Sequence, residues 1–243
     1  MEDLAVRINH ALALEEVRAE RFASIARLTL LAILTVTAIL NASGLTLDAN
    51  VMNFGALAVG YIYGLLISLQ IARKRYRPFV KYFTSCGDIL LVMLVLFLYT
   101  RIENPAVALK HYVFLIVFPL IGLTALRYNV RLTIVAGSTA LVSYLGLFAY
   151  FLLTDSIQLE FTGYSDELFT ARVTIVGQAT KILILGGYVA LVAYMARYSR
   201  QLMERLVRQE VEVQGEKEAM ERELEVAGQV QDQLLPQEFP QVG

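Results

Sequence analysis

The sequence has no tryptophan, a single cysteine (Cys86), two histidines and five prolines in 243 residues, and only 18% of it is charged. One cysteine excludes an intrachain disulfide and a zinc site built on several thiolates. His10 and His111 are far apart, so a metal site would need carboxylates from elsewhere. A net charge of −1 and the lack of any basic run interleaved with aromatics give no reason to expect a nucleic-acid partner. No phosphate-binding glycine loop, nucleophile with its base, or paired-carboxylate pattern occurs, so no catalytic residue and no cofactor are assigned within this chain. The start, 1–27, is charged throughout and lacks a cleavage site after a short apolar core, so no cleaved signal peptide is expected. Without tryptophan, the membrane interfaces fall to tyrosine.

What is present is apolar: 57% of the residues are hydrophobic and the mean hydropathy is +0.56. Soluble domains carry about a quarter charged residues, so this balance predicts an all-α membrane protein. Six apolar segments are each near the roughly 20 residues that cross a bilayer: 28–42, 51–72, 79–99, 108–126, 132–153 and 171–196. Residues 1–27 form a charged, amphipathic lead-in helix with Leu4, Ile8, Ala11, Leu12 and Phe22 on its apolar stripe. Pro119 is expected to kink the fourth span.

The cations decide orientation. Arg73, Lys74, Arg75, Arg77 and Lys81 lie between spans two and three, and Arg127 and Arg131 between spans four and five. Arg18, Arg21 and Arg27 flank the first span, and Arg197 and Arg200 follow the last. Placing all of these in the cytoplasm satisfies the positive-inside rule for six spans with both termini inside. In a bacterium this is the inner membrane. The largest outer connection is acidic, with Asp155, Glu160, Asp166 and Glu167; His111, Asp155 and Glu160 are weak candidates for a cation site.

From 197 the chain becomes rich in Glu, Arg and Gln, which are strong helix formers. Leu206, Val213, Met220, Ala227 and Leu234 recur every seven residues, with Leu202 and Val230 in the companion heptad position. That position holds Gln209, Glu216 and Glu223 in the middle, so half of the seam is polar. The pattern predicts a long cytoplasmic helix over 197–235 that pairs weakly as a homodimeric coiled coil.

The last residues have a further pattern: Ala227, Val230, Gln231, Leu234, Leu235, Pro236 and Pro240. This resembles the leader "A-x-x-(I/V)-Q-x-x-L-L-P-x-x-x-P" that precedes the catalytic domain of SpoIIE/RsbU-like bacterial serine/threonine phosphatases (the PP2C type). Ala227, Val230 and Leu234 share a helix face, and Pro236 ends the helix. The resemblance implies that 236–243 opens the linker to a phosphatase domain outside this chain. That domain would use Mn2+ or Mg2+ on acidic Asp-Gly and Gly-Asp turns and act on a phosphorylated regulator.

Two ionisable residues fall inside the spans, Asp88 in the third and Lys181 in the sixth. Intramembrane charges are functional candidates by default and are expected to face the bundle with a partner. Both are near mid-depth, so Lys181 can reach Asp88 if the third and sixth spans are neighbours, with Thr84 one turn from Asp88 and Gln178 and Thr174 on the Lys181 face. Tyr61, Tyr63, Tyr144 and Tyr188 lie within spans and are candidates for lining a pocket for a hydrophobic ligand.

Together these features predict a membrane sensor of 28–196 that transmits through its coiled helix to a phosphatase. The alternatives are the six-span regulatory region of an adenylate or diguanylate cyclase, and a small transporter or channel.

Overall fold

The computed structural model of the chain describes residues 2–73, 79–102, 109–154, 157, 159–160 and 173–234. Among the described residues six α-helices dominate: α1 (Glu2–Asn41), α2 (Leu47–Ala72), α3 (Val80–Tyr99), α4 (Val117–Ala125), α5 (Val130–Leu153) and α6 (Ile175–Leu234). A 3-10 turn, Tyr112–Ile116, leads directly into α4, and β1 (Leu159–Glu160) pairs in parallel with β2 (Val173–Thr174). The protein divides into two compact units, Glu15–Arg200 and a second made of Met1–Leu14 with Gln201–Gly243.

An apolar chain in lipid has no water for its amides, so it satisfies them within helices. Among the described residues, five helical stretches are long and apolar enough to cross a membrane: Val17–Gly44, Leu47–Ile71, Val80–Tyr99, Val130–Leu153 and the first part of Ile175–Gln231. The structure differs from the expected equal spans at the fourth. There the apolar helical stretch is the shorter Tyr112–Ala125. Pro119 stands in the first turn of α4, where its missing N–H is one of the donors a helix start leaves unpaired. It therefore marks a change from 3-10 to α geometry instead of interrupting a long α-helix. The lead-in helix runs into the first apolar stretch without a break, as a single helix Glu2–Asn41.

Side-chain caps begin several helices. Thr46 accepts from the Ala49 amide ahead of α2 (3.3 Å), Asn129 from Leu132 ahead of α5 (3.1 Å), and Thr174 from Gly177 ahead of α6 (3.1 Å). Val173 and Thr174, expected inside the last span, are instead the β2 strand and this cap. The turn between α4 and α5 is closed by Tyr128 at a φ of 52°, in the left-handed region that few side chains adopt.

The core of the larger unit lies among α3, α4, α5 and α6, on Ile89, Leu96, Ile121, Ala136, Tyr144 and Leu185. Small residues let the helices approach. On α2, Gly60, Gly64 and Ser68 recur every fourth residue and face Leu31, Leu28 and Ser24 of α1; the two serine hydroxyls are 2.7 Å apart. On α5, Gly137 meets α6 so closely that a Cβ built on it would lie 2.3 Å from Cγ1 of Val189. Gly137→Leu is therefore expected to destabilise the protein by roughly 1–3 kcal/mol through overpacking. Val189→Ala in the same chain should return part of the loss, as read from thermal unfolding in detergent. Equal stability of Gly137→Leu and the parent would show that these helices do not touch there.

Candidate functional site

Two buried ion pairs tie α1 to the rest of the larger unit. Glu20 and Arg27 are two turns apart on α1, on the face that also carries the small residues Ala23 and Ser24. Arg27 is 5% exposed and holds Asp88 of α3 edge-on: Nε lies 3.0 and 2.9 Å from the two carboxylate oxygens, and Nη2 donates across 2.7 Å. Its guanidinium carbon also sits 5.7 Å from the centroid of the Tyr63 ring of α2, within cation–π range. Tyr63 in turn donates to the Thr84 carbonyl of α3 at 3.3 Å.

The second pair is deeper. Arg127, in the turn after α4, is 4% exposed, and Glu20 is 1% exposed. Arg127 Nε is 2.9 Å from Glu20 Oε2, and Nη2 donates to Oε1 at 2.9 Å. Arg127 Nη1 donates to the Lys81 carbonyl at 3.1 Å and to the Ser85 hydroxyl, and Nη2 reaches Thr84 Oγ1 at 3.5 Å. One planar fork thus bridges α1, the start of α3 and the α4–α5 turn, a task for which arginine is suited and lysine is not.

The expected Asp88–Lys181 pair does not form within the chain. Asp88 belongs to Arg27, and Lys181 donates its ammonium to the Leu109 carbonyl at 2.8 Å. Equal depth placed the two residues at one level, but the rotation of each helix sends them to different neighbours. Arg27 and Arg127, expected as cytoplasmic flank charges, are buried partners instead. Thr84 is buried beside the second pair instead: its hydroxyl donates to the Lys81 carbonyl at 3.1 Å and lies 3.5 Å from Arg127 Nη2. Gln178 and Lys181 stay on α6, with Gln178 accepting from the Tyr144 hydroxyl of α5. Tyr61 is within 3.1 Å of the Thr35 hydroxyl, and Tyr188 packs edge-on against Phe118.

His111 stacks between Tyr99 and Tyr112, at 4.5 and 4.4 Å between ring centroids, and its Nδ1 accepts from the Val113 amide. It is a cap for the 3-10 turn. Of its suggested metal-binding companions, Asp155 and the side chain of Glu160 lie outside the described residues, as do Asp166, Glu167, Lys74, Arg75 and Arg77. Among the described residues, no three His, Cys, Asp or Glu side chains converge as a metal site would require.

A cavity of about 140 Å³ opens between α1, α2, α3 and the 3-10 turn. Arg27, Tyr63 and Asp88 line one end, Asn41, Asn53 and Tyr99 the other, and leucine and valine the length between. The Tyr99 hydroxyl donates to Oδ1 of Asn53 across that second end. Of the four tyrosines proposed as pocket residues, only Tyr63 reaches this space. A sequence signal for the missed residues exists: Glu20 and Arg27 share a face with small residues, as pairing faces of membrane helices do.

Compared with known proteins, the chain matches no family model, no curated protein and no solved structure.

Proposed function

We propose that this chain is a membrane sensor whose last helix carries a signal to a cytoplasmic output domain. The observation that carries the reading is α6. It is one helix from Ile175 to Leu234, starting beside the Tyr144–Gln178 contact and continuing through the charged segment. Along that segment Leu206, Val213 and Met220 are 51%, 63% and 65% exposed. A seven-residue apolar ladder left open in one chain supports pairing with a second copy, and its polar companion positions keep the pairing weak enough to change.

In this reading Tyr112–Ala125 completes a sixth crossing. Its 3-10 turn rises about 2.0 Å per residue against about 1.5 Å in α4, so the stretch spans roughly 23 Å. That is short of a bilayer core of about 30 Å, a mismatch that local thinning accommodates. Six crossings put both termini on one side, the cytoplasm by the arginine distribution. The output is the phosphatase implied by Ala227, Val230, Gln231 and Leu234; Leu235 and Pro236 lie outside the described residues. A ligand shifts the balance between two packings of the bundle, and α6 passes that shift on.

Single cysteines at Val213 and at Met220, in a Cys86→Ser background, test the pairing. Oxidation in membranes is expected to cross-link each variant to its copy through the same position. If neither position links two chains under any condition, the transmitting dimer is lost.

A further inference from the structure

His111 closes the start of the helical stretch Tyr112–Ala125 with both its backbone and its ring. Its carbonyl accepts from the Phe114 amide at 3.1 Å, and its Nδ1 accepts from the Val113 amide at 3.2 Å. The first amides of a helix have no acceptor inside it, so each such contact replaces one that the helix cannot supply. Asn, Asp, Ser and Thr are the residues usually found in this position. The oxygens of Asn, Ser and Thr accept at any pH, whereas Nδ1 accepts only while it carries no proton. A neutral ring that accepts through Nδ1 has its hydrogen on Nε2. The next proton to bind therefore goes to Nδ1 and removes the cap.

The surroundings of the ring suit both of its states. It stacks on Tyr99, the last residue of α3, and on Tyr112, and aromatic faces attract a cation. Tyr99 is buried and its hydroxyl is tied to Asn53 of α2, so one of the two faces is fixed in place. Against a proton stand the positive end of the helical stretch and several like charges. Lys110 precedes His111 in the chain, α6 sets the Lys181 ammonium on the Leu109 carbonyl, and Arg101 lies over the Phe97 ring beyond the end of α3. We propose that His111 is a proton-operated cap: the neutral imidazole holds the 3-10 turn closed, and the imidazolium releases the Val113 amide while its ring stays against the tyrosines. The sign follows from the contact. The closed cap excludes the proton, so the turn is closed at high pH and opens as pH falls through the range in which histidine titrates. The proton is then a stimulus for the sensor proposed above. The cap rests on that reading only for its purpose, since its opening needs neither output nor dimer.

The test is hydrogen–deuterium exchange of the Val113 amide in the full chain in nanodiscs, at about pH 8 and about pH 5, which bracket the ordinary histidine range. Each rate is divided by that of an unprotected amide at the same pH. The ring nitrogen NMR spectrum of His10→Gln, in which His111 is the one histidine left, reports the proton directly. Nδ1 is expected to carry no hydrogen at the higher pH and one at the lower, with protection of Val113 at least tenfold weaker there. His111→Asn, whose side-chain oxygen accepts without titrating, should protect Val113 equally at both, and His111→Ala weakly at both. A hydrogen on Nδ1 at the higher pH would overturn the cap. A ring still neutral at the lower pH, or protonation that leaves Val113 protected, would overturn its operation by protons. The same acid opening in His111→Asn would put the titrating group elsewhere and overturn the assignment to His111. Failure of the cap with α6 cross-linking intact sinks the switch alone; the reverse sinks the transmitting dimer alone.

Discussion

Arg127→Met is expected to destabilise the protein by about 3–5 kcal/mol, the loss found when one partner of a buried ion pair is removed. The Glu20 carboxylate, almost wholly shielded from solvent, would lose both of its contacts with the guanidinium. The Lys81 carbonyl and Ser85 hydroxyl would lose a donor in the same step. Glu20→Gln added to Arg127→Met should recover part of the loss, because the amide removes the uncompensated charge. Arg127→Lys should recover little, since one ammonium cannot meet Glu20 while also reaching the Lys81 carbonyl and Ser85 on α3. Thermal unfolding in detergent reads all three. A loss below about 1 kcal/mol for Arg127→Met would mean that water reaches the pair, and that it is a surface contact of little worth.

The Arg27–Asp88 pair gives the second large effect, and its pattern separates two assignments of the α3 aspartate. Asp88→Leu and Arg27→Met alone should each cost about 3–5 kcal/mol, because each leaves a buried charge without its partner. The double variant should be more stable than either single one, since replacing both members by apolar side chains removes the stranded charge. Lys181→Met should instead combine additively with Asp88→Leu, because Lys181 is committed to the Leu109 carbonyl and the two residues do not touch. Strong coupling between Asp88 and Lys181, with additivity between Asp88 and Arg27, would reverse the assignment. Such a result would place α3 and α6 side by side at the level of Asp88.

These two pairs also bear on how a bundle of this kind could switch. Both hold α1 to α3, one directly and one through the α4–α5 turn, and the cavity lies along the same seam. A molecule entering beside Arg27 would act on the contact that positions α1. In the proposed sensor, the seam is where a small change in occupancy becomes a change in helix packing.

Much of the architecture follows from the chain read alone. Long apolar runs become helices, which pair their amides internally, and among the described residues five such helices stand where hydropathy puts them. The step from apolar to charged composition near Arg197 reads as one helix changing surroundings, and α6 runs through it. Asp88 announces itself as a residue that needs a partner, because a lone charge in an apolar run is costly. Hydropathy, however, measures depth and not direction. It puts Asp88 and Lys181 at one level but carries no record of which way each helix is turned, so the choice of Arg27 over Lys181 emerged only from packing. For the same reason it counted Arg27 and Arg127 as loop cations, since a charge beside an apolar run looks alike whether it meets water or a buried carboxylate. The shortened fourth stretch was hidden too, because Pro119 signals a break without saying whether it falls inside an α-helix or at its start. Composition and periodicity determined that this chain is helical, with helices long and apolar enough to cross a membrane. The tertiary structure decided which charges meet, and with them where the cavity lies, because pairing depends on the rotation and neighbours of each helix.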